Sequence, residues 1–344
     1  MTRLIIKSCG ALTTLQDSGR KGYQRYGLSN AGAMDRTALA IANALVGNKA
    51  DAAAVELAVF GGELMVEGGE ARVALAGADC PLDIDGEPVP ALTSRRVAAG
   101  SSIRIGAARS GVFAYLAVAG SFDVAPMLGS VSVHLRAGVG GLDGTPLKAG
   151  DVLSLRSHQI EGPDLELAAN PEPAPGPIRI VLGPQDDLFS QAGIETLLSS
   201  EYQITAEADR MGYRLSGPKI AHADGFNIVS DGIVTGSVQV PGTGEPIVLL
   251  ADRQTTGGYP KIATIVRADL ARFVQMRPGS KMRCAAVTLQ EAVALARGDA
   301  RRMESLMAAI RPAGLDRLDS ARLLGLNLAG EAVDAAAGVS PKTS

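Results

Sequence analysis

Short apolar segments separated by turn residues dominate residues 54–155, and this pattern limits the folds open to the chain. Candidate strands lie at 63–66, 72–75, 102–105, 112–118 and 152–155. Asp-Gly pairs at 85–86 and 143–144 mark turns between them. Short strands without intervening helices favour a barrel or a sandwich over alternating β-α units. A similar series of candidate strands follows between residues 202 and 287.

A proline-rich stretch separates the two strand-rich regions. Residues 163–177 contain five prolines and no apolar periodicity, which predicts a linker. We therefore expect an N-terminal module over 1–162, with a buried helix at 35–46, and a second module over 178–287. Residues 288–291 match a helix capping box, so a C-terminal helix is predicted over 288–311. The rest, 312–344, is predicted to be a partly disordered tail.

Charge, cysteine content and apolar run length exclude several protein classes. The net charge is −3 and no basic stripe is present, which argues against nucleic-acid binding. Three widely spaced cysteines leave an odd thiol and favour a reducing compartment. Neither a signal peptide nor an apolar run long enough to span a bilayer is visible. These features predict a cytoplasmic protein, and 344 residues suit about two domains.

The motifs of common catalytic sites are missing. The glycine-rich stretch at 241–244 lacks the Lys-Ser/Thr pair of a phosphate-binding loop, so a β-turn is the better interpretation. No G-x-S-x-G elbow presents a serine nucleophile. His134, His158 and His222 are isolated and have no metal-ligand spacing. We therefore expect no metal centre.

Residues 230–264 hold the densest group of candidate binding residues. A turn that only reverses the chain needs a glycine or a proline and little else. This one offers charged groups, an amide, hydroxyls and a phenol, which suit an anionic or amide-bearing small molecule. Its candidate residues are Asp252, Arg253, Gln254, Thr255, Gly257, Gly258, Tyr259 and Lys261.

Polar groups elsewhere in the chain leave alternatives open. Segments 17–22 and 29–35 are either an ordinary hairpin loop and helix start or together one wall of an anion site. Arg210 is either a surface cation or a group that binds a carboxylate through two parallel hydrogen bonds. Glu56 lies in an apolar run and needs a partner. It is either structurally paired or a perturbed general acid or base.

Three motifs together resemble a known family. They are TLQDSGRKGYQRYGLSNAGAMDR at 14–36, RMGYRLSG at 210–217 and SDGIVTGSVQVPGTGEPIVLLADRQTTGGYPKIAT at 230–264. The chain resembles the biotin-dependent carboxyltransferase-like family over residues 1 to about 297. That family includes the C subunit of prokaryotic ATP-dependent 5-oxoprolinase, also called allophanate hydrolase subunit 2. It also includes the carboxyltransferase domain of urea carboxylase.

The resemblance implies a fold, partners and an activity. It implies a mainly β fold with two cyclophilin-like β-barrel modules, a cleft between them and a C-terminal helix. It also implies direct contact with the B subunit of 5-oxoprolinase, cooperation with the A subunit, and ATP used by the complex. Biotin would be carried by a separate protein, because the AMKM biotinylation signature is missing from this chain. No ATP-grasp domain is visible either, which favours one component of a 5-oxoprolinase that is inactive alone.

Two other functions stay open beside this leading hypothesis. One is a carboxyltransferase that moves CO2 from carboxybiotin to urea or another amide. The other is a regulatory protein that binds the B subunit and has no chemistry of its own. A prolyl isomerase activity has only fold-level analogy in its favour.

Residue type and motif position predict a role for each candidate in opening a lactam. Charge grows on the lactam oxygen during the reaction, so the site must supply cations and N–H donors. Arg210, Arg253 and Lys261 are predicted to contact the anion, while Asp252 and Asp17 orient these cations or move a proton. The predicted substrate-binding residues are Gln254, Thr255, Gly257, Gly258, Tyr259, Ser230, Asp231, Gln239, Arg20 and Asn30.

Overall fold

The chain folds mainly into β-strands, with four α-helices among the residues that the structure describes. These are residues 1–156, 160–169, 171 and 175–314 of a computed structural model. The mainly β class, with a nearly closed barrel-like sheet and a C-terminal helix, confirms the predicted fold class. None of the helices in this part of the chain has the length and apolar content of a membrane span.

Two antiparallel sheets form the N-terminal module. The first contains β1 (Arg3–Cys9), β4 (Gly62–Glu67), β6 (Leu82–Ile84), β7 (Glu87–Val89), β9 (Ser102–Ile105) and β11 (Val152–Ser154), in the order β11-β1-β4-β9-β6-β7. The second contains β2 (Thr14–Gln16), β3 (Ala54–Ala58), β5 (Ala71–Asp79), β8 (Ser94–Val97) and β10 (Ser110–Val118), in the order β2-β3-β10-β5-β8. An apolar core fills the space between the two sheets.

The second of these sheets is buried on both faces, and β10 shows how its sequence permits this. Leu116 and Val118 point into the core between the sheets. Tyr115 and Ala117, on the opposite face, belong to another buried cluster that also contains residues of α1 (Arg36–Leu45). A strand covered on both sides has no need for polar alternation, which explains the continuous apolar run.

An eight-stranded sheet forms the second module and closes almost completely on itself. It contains β13 (Ile178–Leu182), β14 (Tyr202–Ala208), β15 (Gly212–Ser216), β17 (Ser237–Gln239), β18 (Ile247–Leu249), β20 (Lys261–Ile265), β21 (Lys281–Met282) and β22 (Cys284–Ala286). Its order is β21-β14-β15-β18-β17-β20-β13-β22. Since only Arg283 separates β21 from β22, the two edges of the sheet meet along the chain. Two helices, α2 (Gln191–Ser199) and α3 (Arg267–Val274), and a ribbon of β16 (Asp231–Gly232) with β19 (Thr256–Gly257) complete the module.

The C-terminal helix α4 (Leu289–Ala308) begins at the predicted capping box. The Thr288 hydroxyl accepts from the Glu291 N–H at 3.2 Å, and the Glu291 carboxylate accepts from the Thr288 N–H at 2.7 Å. After α4, β23 (Ile310–Pro312) pairs with β12 (Leu165–Leu167). The range predicted as a linker, 163–177, therefore contains a strand. The predicted tail lies outside the described residues beyond Gly314.

Candidate active site between the two modules

A pocket of about 500 Å³ opens where the two modules meet. The N-terminal module contributes residues from 24 to 37, and the second module contributes residues 234–235, 250–253 and 267–274. Asp299 and Met303 of α4 complete the lining. We call this cavity the inter-module pocket. It brings part of the first sequence motif against part of the third.

Three arginines line the inter-module pocket: Arg36, Arg253 and Arg267. Arg36 is the first residue of α1 and Arg267 is the first residue of α3. The N-terminus of a helix carries partial positive charge, so a cation there opposes the helix dipole. Three guanidinium groups against one carboxylate, that of Asp299, therefore make the described lining of this pocket electropositive.

Arg253 is almost fully buried without a carboxylate partner among the described residues. It is 3% exposed, and it donates to the Thr235 hydroxyl at 2.8 Å, the Gln24 side-chain oxygen at 3.2 Å and the Ile233 carbonyl at 3.2 Å. Burial, and then the charge of Arg36, lower the pKa of Arg253 to about 10. All its acceptors are neutral, so its charge stays uncompensated at neutral pH.

Arg36 and Arg267 are also without a carboxylate partner within the described part of the chain. Arg36 donates to the Ser18 carbonyl at 3.1 Å, and the Arg267 side chain makes no hydrogen bond or ion pair with any described residue. Both residues are exposed to solvent, yet partial burial and the neighbouring Arg267 lower the pKa of Arg36 against the opposing effect of Asp17. Asp299 is the one carboxylate in the lining described, and it pairs with Arg302 at 2.9 Å.

Arg210 lies in a buried ion-pair network that joins the modules. It donates to both oxygens of Asp252 at 2.9 Å, to the Glu56 carboxylate, and to the Gly32 carbonyl at 2.8 Å. The side chains of Glu56 and Asp252 are 0% and 3% exposed. Two carboxylates hold the guanidinium charged, and the pKa of Arg210 is raised despite the opposing effect of burial. We call the side chains of Arg210, Asp252, Glu56 and Tyr115 the Arg210 network.

The Arg210 network holds both walls of the inter-module pocket. Glu56 accepts from the Met34 N–H at 3.0 Å and from the Tyr115 hydroxyl at 2.7 Å, and that hydroxyl accepts from the Asp35 N–H at 2.8 Å. Hydrogen bonds from the Arg210 network therefore hold the backbone of residues 32–35, which forms one wall of the pocket. On the opposite wall Asp252 directly precedes Arg253. The sequence predicts that buried Glu56 needs a partner, and that partner is Arg210. Glu56 is therefore structurally paired, which is the first of its two interpretations.

Asp17 and Arg20 fix a loop of the N-terminal module. Asp17 accepts from the hydroxyls of Ser130 at 2.5 Å and Ser132 at 2.6 Å, and Arg20 donates to the Ser132 carbonyl at 2.5 Å. Segments 17–20 and 30–33 lie backbone to backbone, with the Arg20 N–H donating to the Asn30 carbonyl at 2.8 Å. Gly19 permits this approach, because its φ is +84° and a Cβ there would lie 2.5 Å from that carbonyl oxygen.

A second polar cluster surrounds Lys261. The Lys261 Nζ donates to Asp231 at 2.7 Å, and Asp231 also accepts from the Gln185 side chain at 2.9 Å. Gln239 donates to the Tyr259 carbonyl at 3.2 Å and would contact a Cβ at Gly257. Lys261 is buried, Asp231 is half-exposed, and none of these residues lines the inter-module pocket described above.

The predicted site residues thus fall into separate groups. Arg253 and Asn30 line the inter-module pocket, Arg210 and Asp252 lie behind its walls, and Asp17 and Arg20 brace a loop. The Lys261 group collects most of the others: Asp231, Gln239, Gly257 and Tyr259, with Ser230 near Gly258. Gln254 is exposed, and the Thr255 carbonyl accepts from the Ile233 N–H at 3.0 Å.

Sequence reasoning missed Arg36, Arg267 and Gln24 in the pocket lining. A signal for Arg36 was present, because it directly follows the predicted helix-capping Asp35 and so lies in the first turn of a helix, where a cation opposes the helix dipole. Arg267 lies three residues beyond the third motif and gives no comparable signal. Arg267 reaches the pocket because the starts of α1 and α3, which are far apart in the sequence, lie close together in the fold.

Comparison with known proteins places these features in a family. A sequence model described as "Carboxyltransferase domain, subdomain A and B" matches residues 26–286. The C subunit of 5-oxoprolinase from Escherichia coli (strain K12) is 38% identical over 309 residues, covering 88% of this chain and 97% of that protein. The protein of the same name from Haemophilus influenzae is 38% identical over 284 residues, covering 83% and 91% respectively. These matches confirm the resemblance that the three motifs predict.

A solved structure shares the fold with a more distant sequence. The crystal structure of the Kluyveromyces lactis urea amidolyase matches with a TM-score of 0.81 and 27% sequence identity. The match covers 88% of this chain but only 20% of that protein, so the chain corresponds to one part of a much longer polypeptide.

Proposed function

The chain belongs to the carboxyltransferase-domain family, and on that basis we propose that it is the C subunit of an ATP-dependent 5-oxoprolinase. The observation that carries the proposal is 38% identity to the C subunit of a 5-oxoprolinase over 97% of that protein's length. A match along nearly the whole relative includes both modules and both walls of the inter-module pocket. The complex opens the lactam of 5-oxo-L-proline to give L-glutamate.

The chemistry requires activation of a poor electrophile. ATP transfers its γ-phosphoryl group to the lactam oxygen and leaves as ADP. Water then attacks the activated carbon, the ring C–N bond breaks, the nitrogen takes a proton, and water releases the phosphoryl group as phosphate. Negative charge accumulates on the lactam oxygen and its phosphoryl group, and preorganised cations stabilise such charge most strongly in a desolvated site. The guanidinium groups of the inter-module pocket have this character.

In the proposed assembly this chain works with two other proteins. The B subunit of 5-oxoprolinase is its direct partner, the A subunit completes lactam hydrolysis, and the three together consume ATP in the cytoplasm. The chain alone is inactive. Its pocket supplies binding and charge stabilisation, and the nucleotide site is shared with or provided by the other two proteins.

A reconstitution tests the proposed function directly. The purified chain is mixed with the A and B subunits, and glutamate release from 5-oxoproline is measured together with ADP formation. We expect equal rates of the two, and no glutamate when this chain is omitted. Undiminished glutamate release without the chain would rule out the proposal.

Transfer of CO2 from carboxybiotin to urea or another amide is the second candidate. The fold match to a urea amidolyase supports it. The reconstitution separates the two, since the second candidate requires a biotinylated protein and bicarbonate, whereas 5-oxoprolinase requires neither. Glutamate release that is insensitive to avidin would support the first candidate. Complete inhibition by avidin would support the second.

A further inference from the structure

Positive charge in the inter-module pocket exceeds what the described residues neutralise. Arg36, Arg253 and Arg267 line it, and none of them forms an ion pair with a described carboxylate. Arg210, which is buried behind the walls of this pocket, has two carboxylate partners by contrast. Folding therefore brings together three cations that repel one another, and a bound anion would relieve this cost.

The number and placement of donors select the kind of anion. A carboxylate has two oxygens and is satisfied by one guanidinium in a bidentate pair. Three guanidinium groups suit the three terminal oxygens and the double charge of a phosphate monoester. Arg36 and Arg267 begin α1 and α3, so the two helix starts bring two of these guanidinium groups to the same pocket.

The remainder of the lining limits the molecule that carries the phosphoryl group. Met34, Leu250 and Leu270 provide apolar surface beside the arginines, and no aromatic side chain occurs among the described lining residues. A nucleobase is commonly stacked on an aromatic ring, whereas a small saturated ring requires only apolar contact. The cavity of about 500 Å³ has room for such a ring with its phosphoryl group.

We propose that the inter-module pocket binds the phosphoryl group of a small phosphorylated molecule through Arg36, Arg253 and Arg267. Identification of that molecule as the phosphorylated lactam rests on the proposed function. The phosphoryl site itself does not, because it is argued from the charges and shape of this chain. The pocket would then receive the activated intermediate and hold its phosphoryl oxygens while water attacks.

Inorganic phosphate, titrated calorimetrically into the full-length chain, probes the site without the other two proteins. We expect saturable binding that is weakened about tenfold or more in Arg267→Ala and in Arg36→Ala, since each removes a charge-assisted contact. Arg95→Ala is the matched control, because Arg95 is exposed on β8 and does not line the pocket. Acetate, a monoanion, should bind about tenfold more weakly than phosphate or worse.

The outcomes separate this inference from the proposed function. Equal affinities for phosphate and acetate, or phosphate binding unchanged in both Arg267→Ala and Arg36→Ala, would overturn the phosphoryl site even if reconstitution yields glutamate. Selective phosphate binding would support the site even if reconstitution fails. If 5-oxoproline tightens phosphate binding, the phosphoryl group belongs to the lactam. If ADP displaces phosphate and 5-oxoproline has no effect, it belongs to a nucleotide.

Discussion

Arg210 and Arg253 are both buried at the junction of the modules, yet their surroundings differ in charge. Arg210 forms a bidentate pair with Asp252 and a second ion pair with Glu56. Arg253 has only neutral acceptors among the described residues. Since a buried charge is costly unless compensated, the first arrangement is complete in the folded chain, and the proposed anion would complete the second. One arginine thus stabilises the junction of the modules, and the other is available to an anion in the pocket.

Replacement of Arg210 by Met should destabilise the fold strongly. The substitution leaves Glu56 and Asp252 buried without their cation, and loss of one partner of a buried ion pair costs about 3–5 kcal/mol. Urea denaturation of Arg210→Met at neutral pH measures the change in free energy of unfolding. Arg214→Ala is the control, because Arg214 and its partner Glu207 are largely exposed and such pairs contribute little. Equal stability of Arg210→Met and Arg214→Ala would contradict the importance of the Arg210 network.

Replacement of Arg36 by Ala should reduce activity without loss of stability. Arg36 is exposed on one side and donates to one carbonyl, so its removal leaves the fold intact. Loss of a cation that stabilises transition-state charge costs about 10²–10³ in kcat by analogy with oxyanion donors. The reconstituted three-protein assay measures the rate, and the thermal unfolding midpoint of the variant checks its fold. Arg36→Lys should restore part of the lost rate, and wild-type rates in Arg36→Ala would remove this residue from the site.

Residue types in the third motif predicted part of the candidate site, and distance along the chain explains the rest. Arg253 stands among turn residues that no simple turn requires, so sequence alone singles it out. Lys261 and Asp231 stand out for the same reason, but the fold pairs them with each other outside the pocket. Arg267 joins the site because the start of α3 lies at the same pocket as the start of α1, and no local pattern encodes that proximity.

At the scale of elements, long periodic segments were predicted more securely than short ones. The helix predicted at 35–46 is α1, because its apolar residues cover nearly the whole circumference and Asp35 caps it through the Ala38 N–H at 3.0 Å. Two-residue strands such as β16 and β19 have too few residues for any pattern. The ion pair between Asp231 of β16 and Lys261 of β20 holds this ribbon against the eight-stranded sheet.

The β16–β19 ribbon should lose stability in acid through Asp231. Hydrogen bonds from Lys261, then from Gln185, lower the pKa of Asp231 from 3.8 to about 2. A carboxyl group with a depressed folded-state pKa stabilises the fold above its unfolded pKa. Its contribution is therefore complete above a pH of 3.8 and disappears as the pH falls through about 2.

Denaturant unfolding of wild type and Asp231→Asn across that pH range tests this expectation. The wild type should be more stable at neutral pH, and the difference should shrink as the pH falls below 3.8. Asp224→Asn is the control, since Asp224 is exposed and makes no hydrogen bond or ion pair within the described part of the chain. If the difference in free energy of unfolding between wild type and Asp231→Asn stays constant with pH, the ion pair with Lys261 does not stabilise the ribbon.

At the scale of the whole molecule, the two modules share one apolar core. One buried cluster contains residues of α1 and β10 together with residues of the eight-stranded sheet and α4. The proline-rich stretch suggested a boundary from sequence, but the packing across that boundary could not be inferred from it. Tyr115 and Ala117 on the outer face of β10 must be buried by another element, and the sequence does not reveal which element packs against them.

This shared core predicts that the chain unfolds as a single unit, with Gln275 as a link between the modules. Gln275 follows α3, accepts from the N–H groups of Val112 at 2.8 Å and Phe113 at 3.0 Å, and donates to Asp35 at 2.9 Å. Gln275→Ala leaves these groups unpaired at a cost of about 1–3 kcal/mol for each that remains buried. Scanning calorimetry should show one transition in the wild type and one transition at lower temperature in Gln275→Ala.

The control is Gln290→Ala, a substitution of an exposed residue on α4, which should leave the midpoint unchanged. Two resolved transitions in the wild type would mean that the modules fold independently, and the pocket between them would then be free to open without unfolding either one.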